Sequence, residues 1–417
     1  QSVTVDMRGG TLEQAERAEG TDIGLRVLIG GRQANVSASD TRPETIAALA
    51  ERAVAMAREA PEDPYAGLAD AAQISARCDA TGLDLCDPAP APAPGTLMRM
   101  AEEAEAAALA VTGVAQVQSA SASWSRRDIH IAASNGFSGG YARGDTSLSC
   151  VAIAGTGTGM ERDYDGDARV FAVDLRTPDE IGHSAGIRAA ERINPRRPHT
   201  GAWPVLFDER VAATLIGHLL AAANGASVAR GSSWLRDRLD EAVLPDALDL
   251  VEDPHRPRVS GSRYFDAEGL PTAKRLIVEA GVLRGYTLDL ASARKLGMAA
   301  TGNAARGTSS RPSPAAWNIM LTQGDRSRED LLREMGTGLL VTSLIGATIN
   351  PNTGDYSRGA AGFWVEGGEI AFPVNECTIA GSLPEMLRRI TPANDARPHL
   401  SRVVPSLLVE GMTLAGA

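Results

Sequence analysis

The sequence predicts an α+β protein of two domains: an N-terminal domain of mixed sheet and helices over residues 1–195, and a β-rich C-terminal domain with a few helices over 196–417. Three observations carry this. Residues 2–39 alternate short apolar stretches with Gly-Gly pairs, the patterning of hairpins. Helical periodicity then appears in blocks that follow runs of strands, once after residue 42 and again after residue 176. Beyond residue 200 the chain breaks into Gly-punctuated short strands with brief helices, as in a sandwich or partly closed barrel.

In order, SVTVDMR, TLEQAERAE, IGLRVLIG and RQANVSAS read as four strands of an antiparallel meander, turned at Gly9-Gly10, Gly20 and Gly30-Gly31. Pro43–Ala60 reads as a helix with Ile46, Leu49 and Ala53 on one face. Asp87–Gly95, DPAPAPAPG, is an extended, semi-rigid break. Thr96–Val111 returns to helix, and four strands follow: VAQVQSASASW, RDIHIAAS, GYARGDTSLSCVAIAGTG and DARVFAVDLR. Thr177 and Glu180 form a capping box around Pro178, opening another helix. The proline-broken Asn194–Thr200 marks the domain boundary. Trp203–Phe207 is a buried strand feeding an amphipathic helix, with Asp208 as N-cap and Asn224-Gly225 as a left-handed stop. Val211, Leu215, Leu219 and Ala222 share one face of that helix, and His218 lies among them. Brief helices are expected at Asp289–Leu296, Ser327–Met335 and Leu383–Ile390.

The net charge of −11 argues against a general nucleic-acid binder, which needs clustered Lys and Arg. No apolar run approaches the length of a membrane span, and the N-terminus lacks a signal-peptide layout. Four dispersed cysteines without CxxC spacing suit free thiols in a reducing compartment, so a cytoplasmic protein is expected.

None of the short motifs assembles chemistry. None of the six histidines has a second one three to five residues away, so no helix presents paired imidazoles to zinc, and His218 is expected to be a hydrogen-bonded packing residue. Glu180 and His183 have one-turn metal-motif spacing, but no second such pair exists and Glu180 is used as a cap. Gly136–Gly140 matches G-x-S-x-G around Ser138, yet Asn135-Gly136 marks a hairpin rather than a strand-to-helix elbow. Gly302–Ser309 resembles a phosphate loop without its lysine. Asp163-x-Asp165-Gly166-Asp167 has the wrong glycine position for an EF-hand and reads as a solvated hairpin turn. Cys377, beside Glu376, reads as buried and inert, because a neighbouring carboxylate opposes thiolate formation.

From Gly201 onward, FDERVAATLIGHLLAAANG, ARGSSWL, SRYFDAEG, ATGNAARG, NPNTGDYSRGAAGFWVEGGEI, ECTIAGSLPEML and PSLLVEGMTLAG occur in the order of one family's C-terminal domain. The chain resembles the TldD/PmbA family, specifically its TldE branch. In the TldD branch the helix matching Val211–Asn224 carries HExxxH, whose histidines hold a catalytic metal with a downstream cysteine. On that pattern Gly217 and Ala222 stand at the histidine positions and His218 at the glutamate. The resemblance therefore implies no metal, no other cofactor and no catalytic residue here. It implies a non-catalytic subunit that pairs with a TldD-type metalloprotease, or with itself as a homodimer, to process peptides or unfolded proteins.

A subunit of this kind could contribute an edge strand to an extended peptide, and Gly362, Phe363, Trp364 and Val365 are the candidate contact stretch. The competing readings are a self-sufficient hydrolase using Cys377 or Ser138, and a peptide-binding or assembly module acting as a homodimer.

Overall fold

Period-two alternation and Gly-Gly reversals build the first layer. The computed structural model describes residues 1–416. Strands β1 (Ser2–Arg8) and β2 (Thr11–Ala18) form one hairpin, reversed at Gly9 and Gly10, both at positive φ. Strands β3 (Ile23–Ile29) and β4 (Arg32–Ala38) form a second, and helix α1 (Pro43–Glu59) packs on it. The four expected strands are present, but they are not one meander: β3 and β4 form a separate two-stranded sheet. Leu25 and Val27 pack with Leu49 and Ala53 of α1. Alternation leaves Gly24 and Arg26 for the other face. There a Cβ on Gly24 would overlap the Thr308 backbone, so the hairpin lies directly against the C-terminal half.

Helix α2 (Pro94–Leu109) leads into strands β5 (Val114–Ala132), β6 (Ser138–Ala154) and β7 (Glu161–Arg169), then helix α3 (Pro178–Ala190). They complete a five-stranded antiparallel sheet in the order β2-β1-β5-β6-β7. The capping box of Thr177 and Glu180 opens α3 as expected. Two expectations are corrected. VAQVQSASASW and RDIHIAAS are one 19-residue strand, and DARVFAVDLR is strand only to Arg169 before turning into a short 3-10 segment. Small side chains let α2 and α3 lie close over the sheet, with Ala101, Ala104, Ala108, Ile181 and Ala185 packed on Ala120, Leu148 and Ala152.

Strand β8 (Gly201–Phe207) runs into α4 (Glu209–Ala222), which Asp208 caps by accepting from Arg210 N. Asn224-Gly225 is not a left-handed stop. Asn224 has φ −70° and caps the next helix, α5 (Gly225–Arg230), by accepting from Ala226 N. The chain continues through β9 (Leu250–Glu252), β10 (Arg275–Glu279), β11 (Val282–Leu283), α6 (Leu290–Leu296), β12 (Ala304–Ala305), β13 (Ser313–Pro314) and β14 (Ile319–Leu321). Helix α7 (Arg328–Met335) precedes three long strands, β15 (Gly338–Ile349), β16 (Asp355–Glu366) and β17 (Glu369–Ser382). Helix α8 (Leu383–Leu387), β18 (Ile390–Pro392), β19 (Arg402–Val403) and β20 (Leu407–Ala415) end the fold.

Strands β17-β16-β15-β8-β20 close on themselves because β17 also pairs with β20, Thr378 opposite Ala415. The β-rich second half is thus built around a closed barrel. Alternation divides its side chains between two clusters. Val205, Phe207, Val341 and Trp364 join Leu215, Ile216 and Leu219 of α4 in the main core, while Leu206, Leu340, Phe363 and Val365 pack with Leu331 and Met335 of α7.

Candidate functional site

Helix α4 is the element on which a metal site would be built. Its apolar face is buried as its spacing requires, with Val211, Ala212, Leu215, Ile216 and Leu219 in the core. Gly217 contributes no donor, and a Cβ placed there would lie 3.3 Å from Nη1 of Arg402 on β19. Ala222 is buried and equally donorless. His218 presents its ring edge to Tyr356, centroids 5.9 Å apart. Burial, and then the charge of Arg358, lower its pKa, so the imidazole is neutral near pH 7. Its Nε2 is buried without a hydrogen-bond partner among the described residues, which corrects the expectation of a hydrogen-bonded histidine. The described residues contain no group of three or more His, Cys, Asp or Glu able to hold a metal ion. A metal centre does not fit this helix: one isolated imidazole, two missing donors and an arginine beside the first of them.

The other candidate residues are dispersed. Gly362–Val365 lies inside the barrel wall. Gly362 pairs with Val341 of β15 and Val374 of β17, and Trp364 with Leu339 and Phe372. Both backbone edges of β16 are used, and Phe363, Trp364 and Val365 are buried, so this stretch has no free edge for a peptide. Cys377 is buried, its thiol donates to the Ala360 carbonyl at 3.1 Å, and burial pushes its pKa up to about 11. That is the opposite of an activated nucleophile. Ser138 begins β6 after the Asn135-Gly136 reversal, with its hydroxyl 3.1 Å from His130 Nε2 on the exposed hairpin. No helix follows to make an elbow.

One constellation escaped the sequence reading. Glu161, Asp163, Asp165 and Asp167 are not in a solvated turn but alternate along one face of β7, where the three aspartates are buried. Arginines converge on them. Asp163 meets Arg192 at 3.2 Å and Arg210, in the first turn of α4, at 3.0 Å. Asp165 meets Arg176 at 2.7 Å and Arg188 at 2.9 Å. Asp167 meets Arg169 at 2.9 Å and has His399 Nε2 at 3.5 Å. Burial raises the Asp165 pKa, but the Arg176 hydrogen bond and the Arg188 charge outweigh it and hold the carboxyl below its ordinary value. Arg210 continues to the α4 cap Asp208, which also binds Arg328 at 2.9 Å. The network therefore joins the helix-backed sheet, α4 and α7. Its signal in the sequence was the i, i+2 spacing of the acids, a strand period rather than a loop.

These features define a class: a closed barrel clasped by buried ion pairs to a helix-backed antiparallel sheet, with no assembled metal-ligand set among the described residues. Residues 200–416 match the PmbA/TldA metallopeptidase C-terminal domain, residues 87–193 its central domain and residues 1–57 its domain 1. The metalloprotease PmbA of Escherichia coli O157:H7 is 38% identical over 415 residues, covering 99% of this chain and 90% of the relative. Among solved structures, a Bacteroides thetaiotaomicron protein is similar at TM-score 0.91 and 26% identity, covering 100% of this chain and 92% of its own. TldE from Thermococcus kodakarensis shares the fold at TM-score 0.87 and 22% identity, covering 100% of this chain and 94% of its own. The chain belongs to the PmbA/TldD family. No helix among the described residues is long and apolar enough to cross a membrane.

Proposed function

We infer that the chain is a TldE-type subunit, non-catalytic by itself, that pairs in the cytoplasm with a TldD-type metalloprotease and supports its action on peptides or unfolded proteins. The observation that carries this reading is helix α4, with Gly217 and Ala222 where a metal-binding helix needs histidines and Arg402 beside Gly217. The rest of α4 is capped by Asp208 and packed along its apolar face, so the scaffold is kept while the donors are absent. Cys377 and Ser138 offer no replacement nucleophile: the first is buried with a raised pKa, and the second sits on an exposed hairpin.

Reconstitution tests it. The isolated chain is expected to leave an unfolded casein substrate uncut, and to form a complex on mixing with a TldD-type subunit, with chelator-sensitive cleavage appearing in the mixture. Size-exclusion chromatography of the chain alone reads self-association in the same series. Chelator-sensitive cleavage by the chain alone, or absence of any complex, overturns the proposal.

A further inference from the structure

A cavity of about 450 Å³ lies where the β3–β4 hairpin and the Glu62–Tyr65 loop meet α5, α6 and the segment from Arg311 to Pro314. We propose that this cavity binds a short peptide by its free C-terminal carboxylate, held by the guanidinium of Arg26. The proposal rests on the reading that the chain handles peptides, but it concerns binding by the isolated chain and needs neither a partner nor cleavage.

The strand period sets Arg26 on the face of β3 away from α1, and its side chain is only 7% exposed. Nε donates to Gln33 Oε1 at 3.0 Å. Nη1 is 3.7 Å from Glu268 Oε1, beyond hydrogen-bond reach. Neither Nη atom donates to any other described residue, although Arg26 lines the cavity. A buried guanidinium with unspent donors on an open space suits a planar, bidentate acceptor. A carboxylate has that shape and charge.

Glu268 does not already fill this role. Its Oε2 accepts from Leu290 N at 2.8 Å, at the start of α6. Burial, helped by the charges of Asp266 and Asp289, pushes its carboxyl up to about 7, against the lowering effects of that hydrogen bond and of Arg26. Asp289 also acts on Arg26 through its charge, without a hydrogen bond, so the Nη donors keep no hydrogen-bonding acceptor among the described residues.

The remaining lining selects among anions. Beyond Arg26 and Glu268 it carries three basic and three acidic side chains, with Asp63 and Asp289 among the acids and Lys295 and Arg311 among the bases. A polyphosphate would meet those carboxylates at a cost, whereas a molecule with separated positive and negative ends matches them. Tyr65, Pro64 and Pro312 supply apolar contact. A cavity of this volume is of the size that encloses small ligands. A short peptide with free termini meets all three requirements.

Isothermal titration calorimetry of the whole chain with trialanine and with trialanine amide tests this. Wild type is expected to bind the free acid about tenfold or more tightly than the amide, the loss of a charge-assisted hydrogen-bond pair. Arg26→Met is expected to abolish that preference, weakening the free acid at least tenfold and the amide, whose carbonyl oxygen can accept only a neutral-partner hydrogen bond, by less. Equal binding of acid and amide by wild type overturns the proposal, as does no binding of trialanine. Inorganic phosphate competing as strongly as trialanine would identify a general anion hole and also overturns it. The acid–amide comparison on wild type stands even if Arg26→Met fails to fold.

Discussion

Asp163→Ala is expected to destabilise the protein by about 3–5 kcal/mol, measured as the loss in urea unfolding free energy relative to wild type. Asp163 is buried between two arginines whose side chains are each 9% exposed, Arg192 at 3.2 Å and Arg210 at 3.0 Å. Removing it leaves two guanidinium groups in the interior with one fewer counter-charge. Arg192 retains Glu161 at 3.9 Å, and Arg210 retains Asp208 at 3.2 Å, so the loss is partial rather than total. Because Arg210 sits in the first turn of α4, the same change should loosen that helix against β7. A penalty under about 1 kcal/mol, the range of a solvent-exposed pair, would show that the network is not buried as described.

Gly362→Ala is expected to cost about 3 kcal/mol, at the upper end for overpacking. A Cβ at this position would overlap the Leu340 carbonyl oxygen across the β15–β16 pairing. The obstacle is backbone in a barrel wall paired on both sides, so it cannot move aside as a flexible side chain would. Thermal unfolding by circular dichroism reads the effect. If Gly362 instead lined an open peptide groove, alanine would leave the melting temperature unchanged.

Much of the architecture was legible because it is written in local chemistry. The Gly-Gly reversals, the capping box at Thr177 and the α4 cap at Asp208 each act over a few residues, and all form as the sequence predicts. What escaped depends on partners distant in the chain. Whether Gly362–Val365 is an edge or a wall is decided by Gly338–Val341 on one side and Ile370–Val374 on the other, and by the closure of β17 onto β20. Asp163, Asp165 and Asp167 looked solvated because an aspartate run with a glycine ordinarily marks a turn. Apart from Arg169, at the end of β7 itself, their arginines arrive from α3 and the turn after it, from α4 and from the chain between β7 and α3, contacts no local pattern encodes. Asparagine can end a helix or begin one, and which of the two Asn224 does is decided by the α5 turn it caps.

Helix α4 shows the same division. That Gly217 and Ala222 carry no donor is plain from the sequence, but Arg402 beside Gly217 is visible only in the fold. This arginine bears on any attempt to restore a metal site, because a histidine at position 217 would begin 3.3 Å from the guanidinium of the exposed Arg402.

The isolated chain is expected to hold no metal at α4. The direct measurement is zinc content by mass spectrometry after the purified chain is incubated with excess zinc and desalted. No stoichiometric zinc and no change in melting temperature on zinc addition are expected, since a ligand bound only by the native state would raise it. Stoichiometric zinc that survives desalting and is lost in His218→Ala would contradict it.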